Sequence, residues 1–245
     1  MIFKLLKLNS SLIKCSFKTS RQFSSSVEKL VSDGITNCTH LLDSNDPEVL
    51  KTMQNCMIVK ENFINEQEEN EILAEVNPYM KRLRYEFDHW DNAIHGYRET
   101  ERLKWIEENQ KILNRVKQFA FDAFSAQDNT NLLNHIHILD LHEDGFIKPH
   151  VDAVRFCGNT IAGICLLSDA VMKLTSEKDK SKYGLVLLKR RCLYVMRDTM
   201  RYDYAHEVLG NSESFFKNVQ VPKTRRISII CRNEPDLSAH PEKTN

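Results

Sequence analysis

The pattern of hydrophobic positions divides the chain into a helical first half and a second half of short strands. From about residue 131 onward, apolar residues form short β-type runs that turn-forming or charged residues interrupt, and the first such break is a turn at Asp144-Gly145. The predicted strands are 132–141, 160–167, 171–175, 183–188, 192–197, 201–208 and 225–231. Seven short strands at this spacing predict a sandwich or barrel-like β domain.

Two amphipathic helices are predicted before these strands. Asn65 is an N-cap residue, and Glu68 completes a capping-box pattern before an apolar stripe that Pro78 ends or bends. A second helix is predicted over about 100–125, where apolar residues recur at steps of three, four and seven: Leu103, Ile106, Leu113, Val116, Ala120 and Phe124. Residues 56–59 could form a short strand. The expected fold class is α+β, with the helices on one outer face of the β domain.

The start of the chain is basic and contains no acidic residue. Residues 1–27 carry five lysine or arginine side chains, several serines and apolar residues that could line one side of a helix. This composition is typical of a mitochondrial transit peptide, and the alternative is a basic tail. We predict a transit peptide at 1–23, a polar, turn-rich linker at 24–54, the functional domain at 55–235 and a tail at 236–245. The predicted location is the mitochondrial matrix.

Composition limits the classes of function. Beyond residue 27 the chain has 29 basic against 34 acidic residues, a net charge of −5, whereas proteins that grip nucleic acid usually carry a positive excess. No run approaches the roughly 20 apolar residues needed to span a bilayer, so we expect no stable membrane insertion. The seven cysteines contain no C-x-x-C pair, which indicates neither a disulfide framework nor a zinc ribbon.

The second half also carries metal-binding residue types in a definite order. His150 and Asp152 are two residues apart, so in extended chain their side chains point to the same face. His206 follows in the predicted strand 201–208. Two histidines and one carboxylate form the facial triad of non-haem iron(II) oxygenases, which leaves positions open for a cosubstrate and dioxygen. We predict these three residues as iron(II) ligands, against the alternative of ordinary core or surface residues.

Arg226 follows His206 by 20 residues, and Arg232 completes an R-x5-R spacing. An inward-facing arginine in such an apolar strand would be an unpaired buried charge unless a carboxylate ligand arrives. A dicarboxylic cosubstrate supplies that group, and a guanidinium can bind it through two hydrogen bonds. The alternative is a structural ion pair.

Parts of this pattern occur twice. A second H-x-D, His89-Trp90-Asp91, is followed by His135 and Arg155, and Arg191 and Arg197 repeat the R-x5-R spacing. The second H-x-D lies between helical segments, and no further arginine follows Arg155 at the R-x5-R spacing. We therefore place the site at the set that begins with His150, because it alone combines the β region with the complete order.

These motifs resemble the AlkB family of iron(II)- and 2-oxoglutarate-dependent dioxygenases. The pattern of H-x-D, distal His and R-x5-R covers residues 130–233, and segments 145–152, 201–207 and 225–232 are similar to the mitochondrial branch of that family. With 88–99 included, the similarity covers most of the chain after the predicted transit peptide. It implies a double-stranded β-helix (jelly-roll) core, and a link to programmed necrosis and mitochondrial fat metabolism.

The resemblance also implies the cofactors and their residues. Iron(II) is the metal, and 2-oxoglutarate and dioxygen are the cosubstrates. Tyr194 and Arg226 would hold the 2-oxoglutarate with help from Arg232, although Tyr194 could also be an ordinary cross-strand aromatic. We include His137, on the strand before the H-x-D, among the cosubstrate-binding residues.

Two departures bear on the substrate. Leu139 and Leu141 stand where demethylating members carry an Asn and a Tyr, and residues 81–100 offer only Trp90 and Tyr97 for a nucleotide-recognition lid. Both departures weigh against chemistry on a flipped base. We predict a hydroxylase of a protein or a small molecule. A demethylase of mitochondrial RNA and a non-catalytic binding module stay as alternatives, and the prime substrate and oligomeric state are left open.

Overall fold

The computed structural model describes residues 38–87, 93–122 and 132–235. Within these ranges a 3-10 turn (Thr39–Leu41) precedes the helices α1 (Pro47–Cys56), α2 (Glu66–Met80), α3 (Glu107–Ala120) and α4 (Asp198–Tyr202). The strands are β1 (Leu42–Ser44), β2 (Met57–Lys60), β3 (Ile94–Arg102), β4 (Ile136–His150), β5 (Thr160–Leu166), β6 (Ala170–Ser176), β7 (Tyr183–Leu188), β8 (Leu193–Arg197), β9 (Tyr204–Val208), β10 (Phe215–Phe216), β11 (Val219–Gln220) and β12 (Arg226–Arg232).

One antiparallel sheet dominates these residues, in the order β1-β7-β6-β9-β4-β12-β5-β8-β2, with β3 also paired to β4. Laid flat, nine strands about 4.8 Å apart would separate β1 from β2 by roughly 38 Å. The helix that joins β1 to β2 has ten residues and is therefore about 15 Å long. The sheet must curl to bring its edges within that reach, which gives the jelly-roll core that the family resemblance implies.

Strand β4 connects the two halves of the curled sheet. Its first part pairs with β12, where Leu141 lies opposite Arg226. Its last part pairs with β9, where His150 lies opposite His206. Between them, Gly145 crosses β3 so closely that a Cβ atom would lie 2.4 Å from the carbonyl oxygen of Gly96. The sequence predicts a turn at Asp144-Gly145, but the glycine instead allows a long strand to pass its neighbour.

The helices α2 and α3 pack against each other and against β3 and β5. The predicted capping box at the start of α2 is confirmed, because the Asn65 side chain accepts from the Glu68 amide at 2.9 Å and the Glu68 carboxylate accepts from the Asn65 amide at 2.9 Å. Pro78 lies inside α2, which ends two residues later. No helix in the described ranges is both long and apolar enough to cross a membrane.

The prediction of a linker up to residue 54 is wrong for its described part. Residues from Cys38 onward belong to the fold, and α1 buries Val49, Met53 and Cys56. The residues that suggest a turn in the sequence begin this helix instead. Asp46 is its N-cap and accepts from two backbone amides, while Pro47 occupies the first helical turn.

Two further element boundaries are corrected. Residues 100–125 are not one helix, because β3 runs to Arg102 and α3 begins only at Glu107, and the described Leu103 and Ile106 are exposed. The spacing of apolar residues continues across the break, whereas pairing with β4 decides that β3 is extended. Likewise, Arg201 lies in the short helix α4, and the strand that carries His206 starts at Tyr204.

Candidate metal and cosubstrate site

The three predicted metal ligands meet at the end of β4. One ligand atom from each of His150, Asp152 and His206 lies within 4.8 Å of the other two. The Nε2 atoms of His150 and His206 are 3.3 Å and 3.9 Å from Oδ1 of Asp152. The two imidazole rings have centroids 4.2 Å apart, as their opposite positions on β4 and β9 require. The geometry therefore brings together the donor set that the sequence predicts.

Hydrogen bonding indicates which ring nitrogen is available. Nδ1 of His150 lies 2.9 Å from the carbonyl oxygen of Lys148, which can only accept, so Nδ1 is the donor. The lone pair of a neutral His150 then lies on Nε2 and faces Oδ1 of Asp152. The lone pair on Nε2 of His150 and the carboxylate oxygen of Asp152 repel each other at this distance unless a cation lies between them. That cation is either a proton on His150 or a metal ion. The residues present therefore fit a divalent metal.

The site also sets the protonation of its other two groups. Burial, together with the nearby His150, lowers the pKa of His206 to about 3, so its ring is neutral near physiological pH. Burial opposes ionisation of Asp152, but the hydrogen bond with His150 and the charge of Arg232 hold its pKa below the ordinary value. A neutral imidazole and an ionised carboxylate are the forms that bind a metal.

The second carboxylate oxygen of Asp152 faces away from the histidines. Oδ2 forms an ion pair with Nε of Arg232 at 3.4 Å and accepts a hydrogen bond from the thiol of Cys157 at 3.8 Å. Burial and the neighbouring carboxylate raise the pKa of Cys157, which keeps this thiol protonated as a donor. The two oxygens thus have separate partners, with Oδ1 turned toward the histidines.

The predicted cosubstrate anchor, Arg226, is almost completely buried and begins β12. Among the described residues no carboxylate lies within 4.0 Å of its guanidinium, and its Nε has no hydrogen-bond partner. Nη2 donates to the sulfur of Cys165 at 3.2 Å. A hydrogen bond from Cys192, with help from Arg226, lowers the pKa of Cys165 against the effect of burial. The sulfur of Cys165 therefore offsets part of the positive charge of Arg226.

Tyr194 lies across the neighbouring strand β5, at a position where that strand carries a glycine. Tyr194 on β8 lies opposite Gly163 on β5, and Gly163 lies opposite Ile230 on β12. A Cβ atom on Gly163 would stand 2.4 Å from Cε1 and 2.6 Å from the hydroxyl oxygen of Tyr194. Burial raises the pKa of Tyr194, so the hydroxyl keeps its proton and can donate.

The other residues that the sequence analysis singled out lie on β4 and β12. Leu141 and Leu139 lie opposite Arg226 and Ser228, and both leucines are buried on the face that carries the guanidinium. His137 and Arg232 are partly exposed, and Arg232 pairs with the predicted metal ligand Asp152. Nη1 of Arg232 is 3.3 Å from Nδ1 of His137, whose Nε2 contacts Glu99 at 2.8 Å.

The duplicated motifs separate from the site as far as the structure describes them. His89, Trp90 and Asp91 lie outside the described residues, as does the predicted transit peptide. His135 and Arg155 are exposed. Arg191 lies 3.9 Å from Glu66 and Glu69, and Arg197 pairs with Asp198, so these two arginines have acidic partners where Arg226 has none among the described residues.

Sequence reasoning missed four residues of this site: Gly163, Cys165, Cys157 and Arg201. A glycine inside an apolar strand signals a close approach, so Gly163 carried a usable signal. The other three were given no role, because a cysteine in an apolar run looks like core and Arg201 lay in a predicted strand. Their contacts join residues up to 61 positions apart in the chain.

Two mammalian proteins are similar to this chain over most of its length. The chain is 44% identical over 188 residues to a protein of Bos taurus named alpha-ketoglutarate-dependent dioxygenase alkB homolog 7, mitochondrial, with 77% of this chain and 83% of that protein covered. It is 45% identical over 191 residues to the Mus musculus protein of the same name, with 78% and 84% covered. No family model matches the chain.

Two solved structures share the fold at low sequence identity. A prolyl-4-hydroxylase of Pseudomonas putida superimposes with a TM-score of 0.55 at 14% identity, and the match covers 77% of this chain and 97% of that one. The structure of OsALKBH1 gives a TM-score of 0.51 at 12% identity, with 72% and 97% covered. At these identities the likeness concerns the jelly-roll fold, and the mammalian relatives decide the family. The chain belongs to the alkB homolog 7 family of alpha-ketoglutarate-dependent dioxygenases.

Proposed function

We propose that this enzyme is an iron(II)-dependent dioxygenase of the mitochondrial matrix that uses 2-oxoglutarate to hydroxylate a protein or a small molecule. One observation carries the proposal. The donor atoms of His150, Asp152 and His206 lie together at the end of β4. The neighbouring strand β12 carries Arg226, which is buried and has no carboxylate partner among the described residues. The link to programmed necrosis and fat metabolism belongs to the proposal through the family resemblance alone.

The residues divide the binding tasks between them. Bound iron(II) would supply the activation of dioxygen that is coupled to oxidation of 2-oxoglutarate to succinate and CO2. His150, His206 and Oδ1 of Asp152 would hold the metal on one side. Arg226 and the Tyr194 hydroxyl would bind the far carboxylate of the cosubstrate, where a charge-assisted hydrogen bond in a buried pocket is strong. The buried Leu139 and Leu141 exclude water from that carboxylate.

The ion pairs and burial of the basic residues support this substrate class. Two basic clusters, Lys189 to Arg191 and Lys223 to Arg225, could in principle form a rim for RNA. The first cluster is paired with acidic side chains, namely Lys189 with Asp169, Arg190 with Glu69, and Arg191 with Glu66 and Glu69. In the second, Lys223 is buried on the carbonyls of His142 and Glu143, and Arg225 pairs with Asp140. Such a surface favours a protein or a small molecule over a nucleic acid.

Binding of single-stranded RNA is therefore expected to be weak near physiological salt and to show little sequence preference. Each phosphate neutralised by a basic side chain contributes a slope of about −0.7 to the dependence of log affinity on log salt concentration. We therefore expect a shallow dependence on salt, with a slope that corresponds to few phosphate contacts. The measurement is a salt titration of RNA binding, run beside an assay of formaldehyde release from methylated RNA.

Submicromolar affinity with a slope of several phosphates, lost when Lys189 and Arg190 are replaced by alanine, would contradict the proposed substrate class. Together with formaldehyde release it would make RNA demethylation the function. The third reading, a non-catalytic binding module, predicts no succinate formation with any substrate. The complete donor set of the triad weighs against it.

Gly163→Ala is expected to raise the KM for 2-oxoglutarate, because the added methyl group displaces the Tyr194 ring. Tyr194→Phe removes one hydrogen bond to a charged group and should raise the KM by about 10-fold or more. Steady-state kinetics of both variants test the idea. Gly210→Ala is the matched control, since its Cβ would meet Phe146 only at 3.8 Å. An unchanged KM in Gly163→Ala would mean that Tyr194 is not part of the cosubstrate site.

A further inference from the structure

Arg201 is a completely buried arginine behind the metal ligands. It lies in α4, five residues before His206, and among the described residues no carboxylate lies within 4.0 Å of its guanidinium. Its Nη1 atom is buried and has no hydrogen-bond partner in the described parts of the chain. Burying an unpaired cation is costly, so its remaining contacts must be worth that cost.

The hydrogen bonds of Arg201 converge on the turn that follows Asp152. Nε of Arg201 donates to the carbonyl of Gly158 at 3.2 Å, and Nη2 donates to the carbonyl of Cys157 at 3.3 Å and to its sulfur at 3.2 Å. The turn is also held from its other side, because the Gly158 amide donates to the carbonyl of Asn233 at 2.8 Å. Arg201 therefore fixes both the backbone at residues 157–158 and the direction of one thiol.

That thiol points to a metal ligand. The sulfur of Cys157 donates to Oδ2 of Asp152 at 3.8 Å, beside the ion pair of this oxygen with Nε of Arg232 at 3.4 Å, while Oδ1 faces His150 and His206. A carboxylate whose second oxygen is held by hydrogen bonds coordinates a metal through the first oxygen. Groups that orient metal ligands in this way influence affinity and geometry without touching the ion.

We propose that Arg201 is a positioning residue, which holds the Cys157 thiol against Oδ2 of Asp152 so that this carboxylate offers Oδ1 alone to the metal. The inference rests on the proposed function of the triad and adds a device that keeps a coordination position open. The same guanidinium lies in the helix that leads into β9, so it ties the turn after Asp152 to the strand that carries His206.

The test uses cobalt(II) titration of the metal-free full-length protein, since the d–d absorption of cobalt(II) reports both affinity and coordination number. Cys157→Ala is expected to weaken cobalt(II) binding by about 10- to 100-fold, the usual effect of removing a group that orients a ligand. Its absorption spectrum should also change, because the freed second carboxylate oxygen can replace water on the ion. Cys157→Ser keeps a donor at this position and should restore both properties.

The matched control is Cys56→Ala, which removes the same atoms from another buried cysteine that hydrogen bonds to α4 at Thr199 and Met200. It should bind cobalt(II) as the parent protein does. Arg201→Met should weaken cobalt(II) binding as Cys157→Ala does. The double variant should lose no more affinity than Arg201→Met alone, because both changes break the same contacts from Arg201 through Cys157 to Asp152. Additive losses would overturn the inference.

Asp152→Ala separates this inference from the proposed function. If Asp152→Ala still binds cobalt(II) like the parent protein, the triad is not a metal site and the proposed function fails. If Asp152→Ala loses cobalt(II) but Cys157→Ala matches the parent in affinity and spectrum, the positioning role alone is wrong. Because Cys157→Ala is a small change, this result decides the matter even if Arg201→Met does not fold.

Discussion

Replacing Asp152 or His206 with alanine is expected to abolish succinate formation from 2-oxoglutarate. Each residue supplies one of three donor atoms that lie within 4.8 Å of one another, and two remaining donors leave the metal weakly held. The side chains are partly exposed at the end of β4, so their removal should not unfold the protein. Succinate assays are therefore combined with circular dichroism and thermal unfolding of each variant.

A second cluster on β4 provides the control. His142, Glu143 and Asp144 also bring three potential ligand atoms within 4.8 Å, but at a more exposed position. His142→Ala and Asp144→Ala should form succinate at the rate of the parent protein. If Asp152→Ala and His206→Ala also turn over 2-oxoglutarate normally, the assignment of the triad is wrong.

Arg226→Ala is expected to raise the KM for 2-oxoglutarate by about 10- to 150-fold, since hydrogen bonds to charged groups contribute roughly 1.5–3 kcal/mol. The same change should cost little stability in the absence of cosubstrate. The guanidinium is buried without a carboxylate partner among the described residues, and removing such a charge relieves a desolvation cost. Kinetics and thermal unfolding together therefore distinguish a cosubstrate anchor from a structural ion pair.

Arg191→Ala is the matched control, because Arg191 begins the other R-x5-R pair. Its guanidinium lies 3.9 Å from Glu66 and Glu69, so its removal should leave the KM for 2-oxoglutarate nearly unchanged. Arg226→Lys keeps the charge but loses the planar fork, and an intermediate KM is expected. Equal effects at Arg191 and Arg226 would show that order along the chain does not identify the cosubstrate site.

The properties that the sequence alone determined are those written in short stretches of chain. The strands 160–166 and 183–188 and the capping box of α2 depend on neighbouring residues, and all were predictable. The ordered set of His150, Asp152, His206 and Arg226 was also predictable, because each residue type is costly or unusual in its apolar surroundings unless it binds something. These local signals sufficed for the fold class and for the candidate ligands.

The tertiary structure decided everything that depends on pairing between distant strands. His150 lies opposite His206 only because β4 continues past Gly145 and pairs with β9, although the sequence indicates a turn at that glycine. The Tyr194 ring can lie across β5 only because that strand carries Gly163 at the crossing point. The partners of Arg201 become visible only after folding, since its contacts with Cys157 and Gly158 cross more than forty positions of sequence. Register and the curl of the sheet set these distances, and both arise from long-range packing that no local pattern of residues encodes.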